Sequence, residues 1–257
     1  MSRFGNLEFD EEFGGTGAKN QAVKDEAYYS AEALAAFQRA DFEGALRLYS
    51  KVIEHNPGNA GAWAGQARML VELEEYREAR LWAEKALERF PRDPELLAAR
   101  AVALARSGDH EAAIVFSDAA AEERGDTPYV WLARGDVLLA SGEARAAYCF
   151  EKALMLASGD WFIRWLAGRI HFFHKRFALA LKYFQEAIER NSVNFVVWFD
   201  LGRCQEALGL LRPAELSFRQ ARELNPQCLE ARHRMATLAR AGFWPRAAGW
   251  IRAKFHR

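Results

Sequence analysis

The chain has 257 residues, 51% of them hydrophobic, and its 35 basic side chains equal its 35 acidic ones. That is apolar material for one large domain or two ordinary ones, and a net charge of zero gives no global preference for nucleic acid or an anionic surface. Three cysteines (Cys149, Cys204, Cys228) without CxxC spacing argue against a disulfide framework and fit reduced thiols in a cytoplasm. Alanine, leucine, glutamate and arginine dominate, which favours helix, and the preference for arginine over lysine points compositionally to a GC-rich bacterial source. In chain order, residues 1–25 come first and mix glycine, polar residues and acids, the composition of a flexible tail. Phe4, Leu7, Phe9 and Phe13 punctuate it beside Glu8, Asp10, Glu11 and Glu12, an acidic and aromatic pattern suited to a short docking peptide. The opening MSRFGNLEFDEEF has neither a basic stretch nor an apolar run after it, so a secretion leader is not expected. GGTGAK at Gly14–Lys19 lacks the glycine before the lysine, the Ser/Thr after it and the preceding strand that a phosphate loop needs.

From about Glu26 the chain repeats itself. Pro57 and Pro91 lie 34 residues apart, and so do the segments that lead to them, YSKVIEHNP and AEKALERFP. The ending returns as SFRQARELNP at Pro226 and, without proline, as YFQEAIERNS at Ser192. Between these come small residues, Gly135, Gly168 and Gly202, then Ala146 or Ala147, Ala180 and Ala214. A period of about 34 residues is the length of a helix–turn–helix unit.

These residues resemble the tetratricopeptide repeat (TPR) family, whose pattern sets Trp at position 4, Leu-Gly at 7–8, Tyr at 11, an aromatic at 17, Ala at 20, an aromatic at 24, Ala at 27 and Pro at 32. Trp63, Ala67, Tyr76, Ala79, Ala86 and Pro91 fit it, as do Trp198, Leu201, Gly202, Ala214, Phe218, Ala221 and Pro226. Gly168, Phe177, Ala180, Phe184 and Ala187 supply a fifth repeat, and Trp131, Gly135, Phe150 and Ala153 a fourth that is one residue short near Gly142. The first keeps Phe42, Ala45, Tyr49 and Pro57; the third and seventh rest on Ala101, Ala113, Ala120, Ala236 and Ala248. The resemblance implies an all-α, right-handed solenoid of about seven helical hairpins over residues 26–257. Neither helix of a hairpin can bury its apolar stripe alone, so small residues let backbones approach while rings fill the remaining space. Pro213 and Pro245 fall in first turns of second helices, where proline is tolerated. Near the C-terminus, Trp250, Ile251 and Phe255 belong to the last second helix.

Charge is distributed unevenly. Residues 1–160 carry 18 Lys/Arg against 28 Asp/Glu, whereas residues 161–257 carry 17 against 7. Such asymmetry steers partners. Asp160–Phe177, DWFIRWLAGRIHFFHKRF, concentrates six aromatic rings and six basic or potentially basic residues. His171 and His174 share a helix face, yet no third ligand lies within a turn, and His171 falls at the packed position 11; a structural histidine is expected rather than zinc. The nearest approach to a long apolar run, Phe195–Phe199, is far short of a membrane span of about 20 residues. No nucleophile–base–acid set is visible, so no enzyme and no cofactor is expected.

In the family, the groove is lined by positions 2, 5, 9, 12 and 13 of each first helix. The second and third repeats place small residues there, among them Gly61, Ala64, Ala98 and Ala105. Later repeats bring Tyr129, then Phe162, Trp165, Arg169, Phe172 and Phe173, then Phe199 and Arg203. Rings and arginines are the residues enriched at binding hot spots. These eight are the expected partner-binding residues, with Trp165 sharing a register ambiguity with Arg164. The clamp that chaperone-binding relatives use for a C-terminal carboxylate is not expected, since Ser30 and Leu34 occupy its positions. The reading is therefore a non-enzymatic scaffold or adaptor that binds an extended peptide or helix, acidic and aromatic in character, mainly in repeats four to six. Self-association through the tail is one form of this. The alternatives are a nucleic-acid-binding solenoid using the basic half, in which Arg169, Arg203 and Arg240 recur at one repeat position, and a regulatory subunit of a separately encoded enzyme.

Overall fold

The computed structural model describes residues 24–123 and 125–239, and no strand occurs among the described residues. The expectations for the tail, for GGTGAK, for Arg240 and for Trp250, Ile251 and Phe255 lie outside them. The chain divides into two compact units after Glu123.

The first unit stacks three hairpins: α1 (Glu26–Gln38) with α2 (Phe42–His55), α3 (Ala60–Glu72) with α4 (Tyr76–Arg89), and α5 (Pro94–Arg106) with α6 (His110–Glu122). The second pairs α7 (Pro128–Ala140) with α8 (Ala146–Leu156), α9 (Trp161–Phe173) with α10 (Phe177–Arg190), and α11 (Phe195–Ala207) with α12 (Leu211–Leu224). The chain is helical again over 229–239. The architecture is the all-α helical solenoid that the repeat implies.

Each hairpin is punctuated in the same way. The residue before each first helix caps it: Asp25, Asn59, Asp93, Thr127, Asp160 and Asn194 each accept a backbone N–H of the first turn, which satisfies a donor that the helix leaves unpaired. The turn inside every hairpin passes through one left-handed residue, at Ala40 (φ 55°), Glu74 (63°), Gly108 (94°), Gly142 (73°), Lys175 (57°) and Gly209 (74°). Only three of these six are glycine, so the turn geometry and not the residue type is what recurs.

Small residues meet rings at the heart of the three hairpins of the second unit. A Cβ on Gly168 would lie 2.5 Å from Phe184, and one on Gly202 would lie 2.6 Å from Phe218. Gly135 meets Phe150 in the same way. That pair is 15 residues apart where the other two are 16 apart, so the fourth repeat is one residue short, and α8 is correspondingly the shortest helix of the twelve. In the first unit Ala67, Ala83 and Ala99 form the equivalent contact. Ala64, Ala98, Val102 and Ala105, at groove positions by register, are buried; short side chains let α3 and α5 approach closely.

Candidate functional site

The expected partner-binding residues all lie in the second unit, on the face built by α7, α9 and α11. Five of them keep some surface: Tyr129, Arg169, Phe172 and Arg203 are half-buried and Phe173 is exposed. The other three are inside. Trp165 is fully buried, and Phe162 and Phe199 nearly so. Phe162 stacks on Trp165 with centroids 5.4 Å apart, and Phe199 packs on Phe218 at 5.6 Å. These three are therefore not open surface: α11 covers the side of α9 that carries Trp165, and Phe199 lies in a core cluster with Phe218, Ala231 and Leu238.

The register ambiguity at the fifth repeat resolves without a slip, since Gly168 keeps its place on Phe184. Arg164 stands in for the tryptophan of other repeats. Trp63 and Trp198 donate their indole N–H to carbonyls of the preceding turn, at Pro57 and Ser192. Arg164 Nη1 does the same job, donating to the carbonyls of Ala157 (3.2 Å) and Asp160 (3.0 Å). Burial holds its guanidinium below the usual arginine range, and Arg190 adds to this.

The organising residue of the face is one the sequence reading passed over. Asp200 on α11 is 4% exposed. Its Oδ2 accepts from Trp165 Nε1 at 2.8 Å and from Arg169 Nη1 at 3.3 Å, and its Oδ1 accepts from Arg203 Nη1 at 3.2 Å. Each guanidinium also lies over a ring: Arg169 Cζ is 5.1 Å from the Trp165 centroid, and Arg203 Cζ is 4.8 Å from that of Phe172. Stacking and ion pairing together hold both cations in place. An acid at position 6, where the earlier repeats put Gly65, Ala99, Ala133 and Leu166, is the signal that marks it.

The two histidines have separate roles. His174 Nε2 sits 2.7 Å from Oδ1 of buried Asp136 and ties α9 to α7. His171 is 3% exposed, between Phe150 (4.4 Å) and Tyr183 (5.2 Å), and neither ring nitrogen has a hydrogen-bond partner. Burial, with Arg176 and His174 nearby, pushes it down to about 4. Among the described residues no group of three or more His, Cys, Asp or Glu is placed to hold a metal ion, and no helix is long and apolar enough to cross a membrane.

Helical hairpins repeated about every 34 residues, packed through small residues and capped at one position, define a helical-repeat protein. The chain belongs to the tetratricopeptide repeat family, whose sequence models match residues 36–103 and 166–228. No curated protein sequence matches it. Among solved structures it is similar to a thermophilic TPR protein of Thermus thermophilus, with 22% identity over 71% of this chain and 98% of that one and a TM-score of 0.54. A tetratricopeptide repeat protein of Parabacteroides merdae is similar at 15% identity, 84% and 85% coverage and a TM-score of 0.53. The chain spans 50% of a chain in the APC/C hetero-tetramer Cut9–Hcn1, at 18% identity over 85% of its own length and a TM-score of 0.48.

Proposed function

We propose that this protein is a non-enzymatic interaction scaffold and that the α7–α9–α11 face takes an extended peptide or helix from a protein partner in the cytoplasm. One observation carries the reading. The first helices that bury Phe162, Trp165 and Phe199 also carry exposed Phe173 and half-buried Tyr129, Phe172 and Arg203, with Arg203 stacked over Phe172. Rings and arginines held by packed neighbours lose little freedom on binding, the arrangement that makes hot spots. The partner chemistry that fits is aromatic and acidic. Residues 4–13 of the chain itself, FGNLEFDEEF, have that composition, so docking of this segment, within one chain or between copies, belongs to the proposal.

The test is co-purification from the native host with the intact chain and with a Phe173→Ala/Arg203→Gln double variant. Loss of a specific protein partner at unchanged thermal melting is the expected result. A partner retained by the double variant places the interaction elsewhere. Recovery of nucleic acid with a steep loss on adding salt favours the second reading, which draws on the basic excess after residue 160. Recovery of an enzyme whose turnover changes with occupancy of this face identifies a regulatory subunit.

A further inference from the structure

The turns inside the fifth and sixth hairpins lie side by side. Cys204 Sγ donates to the carbonyl of Phe177 at 3.1 Å, which sets the end of α11 against the start of α10. Leu208 follows Cys204 by one helical turn, and Arg176 directly precedes Phe177. On this edge Leu208, Leu210 and Leu211 are 39%, 42% and 44% exposed, and Lys175, Arg176 and Arg212 are exposed beside them. Among the described residues none of these three cations has an ion-pair partner, and the acids nearest in sequence, Glu186, Glu206 and Glu215, are taken by Arg164, Arg234 and Arg219. The earlier turns are built differently. The residue before the second helix is Asp41, Glu75 and Asp109 in the first three hairpins, and Asp41 and Asp109 each accept a backbone N–H of the helix they precede. The fifth and sixth hairpins put Arg176 and Leu210 there, and neither caps. The helix dipole opposes a cation at that end, and leucine satisfies no donor. Folding alone therefore gives no reason for either residue, and open leucines grouped at two adjoining turns mark a contact surface.

We propose that this turn edge is a peripheral contact with an anionic lipid bilayer. Lys175, Arg176 and Arg212 meet the headgroups, and Leu208, Leu210 and Leu211 enter the boundary with the acyl chains. The charge is complementary, because unpaired cations at a bilayer surface gain from its negative potential. The leucines favour lipid over an acidic protein: acyl chains accept a protruding aliphatic side chain of any shape, whereas a protein partner has to supply a fitted pocket for each one. Contact of this kind needs no spanning segment, and among the described residues no helix is long and apolar enough to cross a membrane. The proposal stands apart from the peptide reading of the α7–α9–α11 face and adds a place at which a scaffold is held.

The experiment is flotation of the full chain with vesicles at low salt, using phosphatidylcholine alone and phosphatidylcholine with about one-third phosphatidylglycerol. The intact chain is expected to float with the anionic vesicles only and to be released by added salt. A triple variant, Lys175→Gln with Arg176→Gln and Arg212→Gln, should bind them at least about tenfold more weakly. Leu210→Gln with Leu211→Gln should weaken binding by a similar factor, about tenfold, at an unchanged melting temperature. Failure to float with anionic vesicles, or equal flotation with both kinds, overturns the proposal. Binding that survives the triple variant places the contact on other basic residues and overturns this edge. Binding that survives the leucine variant reduces the contact to adsorption by charge and overturns the insertion. A melting temperature that drops in the leucine variant shows the two side chains packed in the intact chain, as they would be beneath residues 240–257, and overturns their role at a bilayer. Retention on immobilised polyglutamate, lost in the triple variant and without flotation on vesicles, assigns the edge to an acidic protein and overturns the lipid assignment.

Discussion

Replacing His171 with phenylalanine should remove a specific part of the protein's acid sensitivity. In the folded chain His171 titrates at about 4 because the ring is buried without a hydrogen-bond partner, while Arg176 and His174 oppose a further charge more than Asp136 favours it. In the unfolded chain an ordinary histidine titrates near ~6.5. Between these values the unfolded state binds more protons than the folded one, so the contribution to stability falls as pH falls from about 6.5 and levels off below about 4. Integrated from pH 7 to pH 5, the loss is about 2 kcal/mol. Phenylalanine at this position has its own cost, since the site between Phe150 and Tyr183 is shaped for a smaller ring, but overpacking does not depend on pH. Urea unfolding of both proteins at pH 7, 6 and 5, followed by circular dichroism, therefore isolates the proton term as a difference. At a slope of about 2 kcal/mol per M, the two midpoints should converge or cross by about 1 M between pH 7 and pH 5. A stability difference that stays constant over this range would refute the reasoning. It would show that the folded protein accommodates the imidazolium and that the His171 nitrogens find partners.

Two further substitutions probe the packing behind the site. Asp200→Ala leaves the buried Trp165 N–H without its acceptor and two arginines without their shared counter-charge; a loss of about 3 kcal/mol is expected in chemical denaturation, and a change under about 0.5 kcal/mol would mean that solvent replaces the carboxylate. Lys175→Gly relieves a left-handed lysine at φ 57° and should raise stability by about 1 kcal/mol, read as a higher melting temperature; Gly209→Ala, at the same place one repeat later with φ 74°, should lower it by a similar amount.

Much of the fold can be read in the sequence because a TPR hairpin is specified by contacts at fixed spacing. Gly168 with Phe184 and Gly202 with Phe218 recur at one interval, so their identity reports their packing. Even the missing residue of the fourth repeat is visible in the sequence and reappears as the shorter interval between Gly135 and Phe150. The left-handed turn residue is less visible, because Ala40, Glu74 and Lys175 adopt it without being glycine. The division after Glu123 has no signature in the repeat pattern, which runs past it with Pro94 and Pro128 both opening first helices.

The site is harder to read, for a physical reason. Repeat register says which way a side chain leaves its own helix and says nothing of what the next repeat sets against it. Position 5 holds Ala64, Ala98 and Trp165, and all three are buried, the alanines because neighbouring first helices come close and the tryptophan because Asp200, 35 residues later, reaches back to its indole. A groove position therefore becomes open surface only when the following repeat leaves it uncovered. Phe173 meets that condition, and Trp165, at an equally favourable position, does not. Asp200 was the available clue, since an acid between Phe199 and Leu201 at a position otherwise small or apolar has to find a cation or remain unpaired in the core. Arg169 and Arg203 are the cations within reach. The same acid that buries Trp165 thus fixes which arginines stay on the face, so the packing of the fifth and sixth repeats and their surface chemistry are set by one residue.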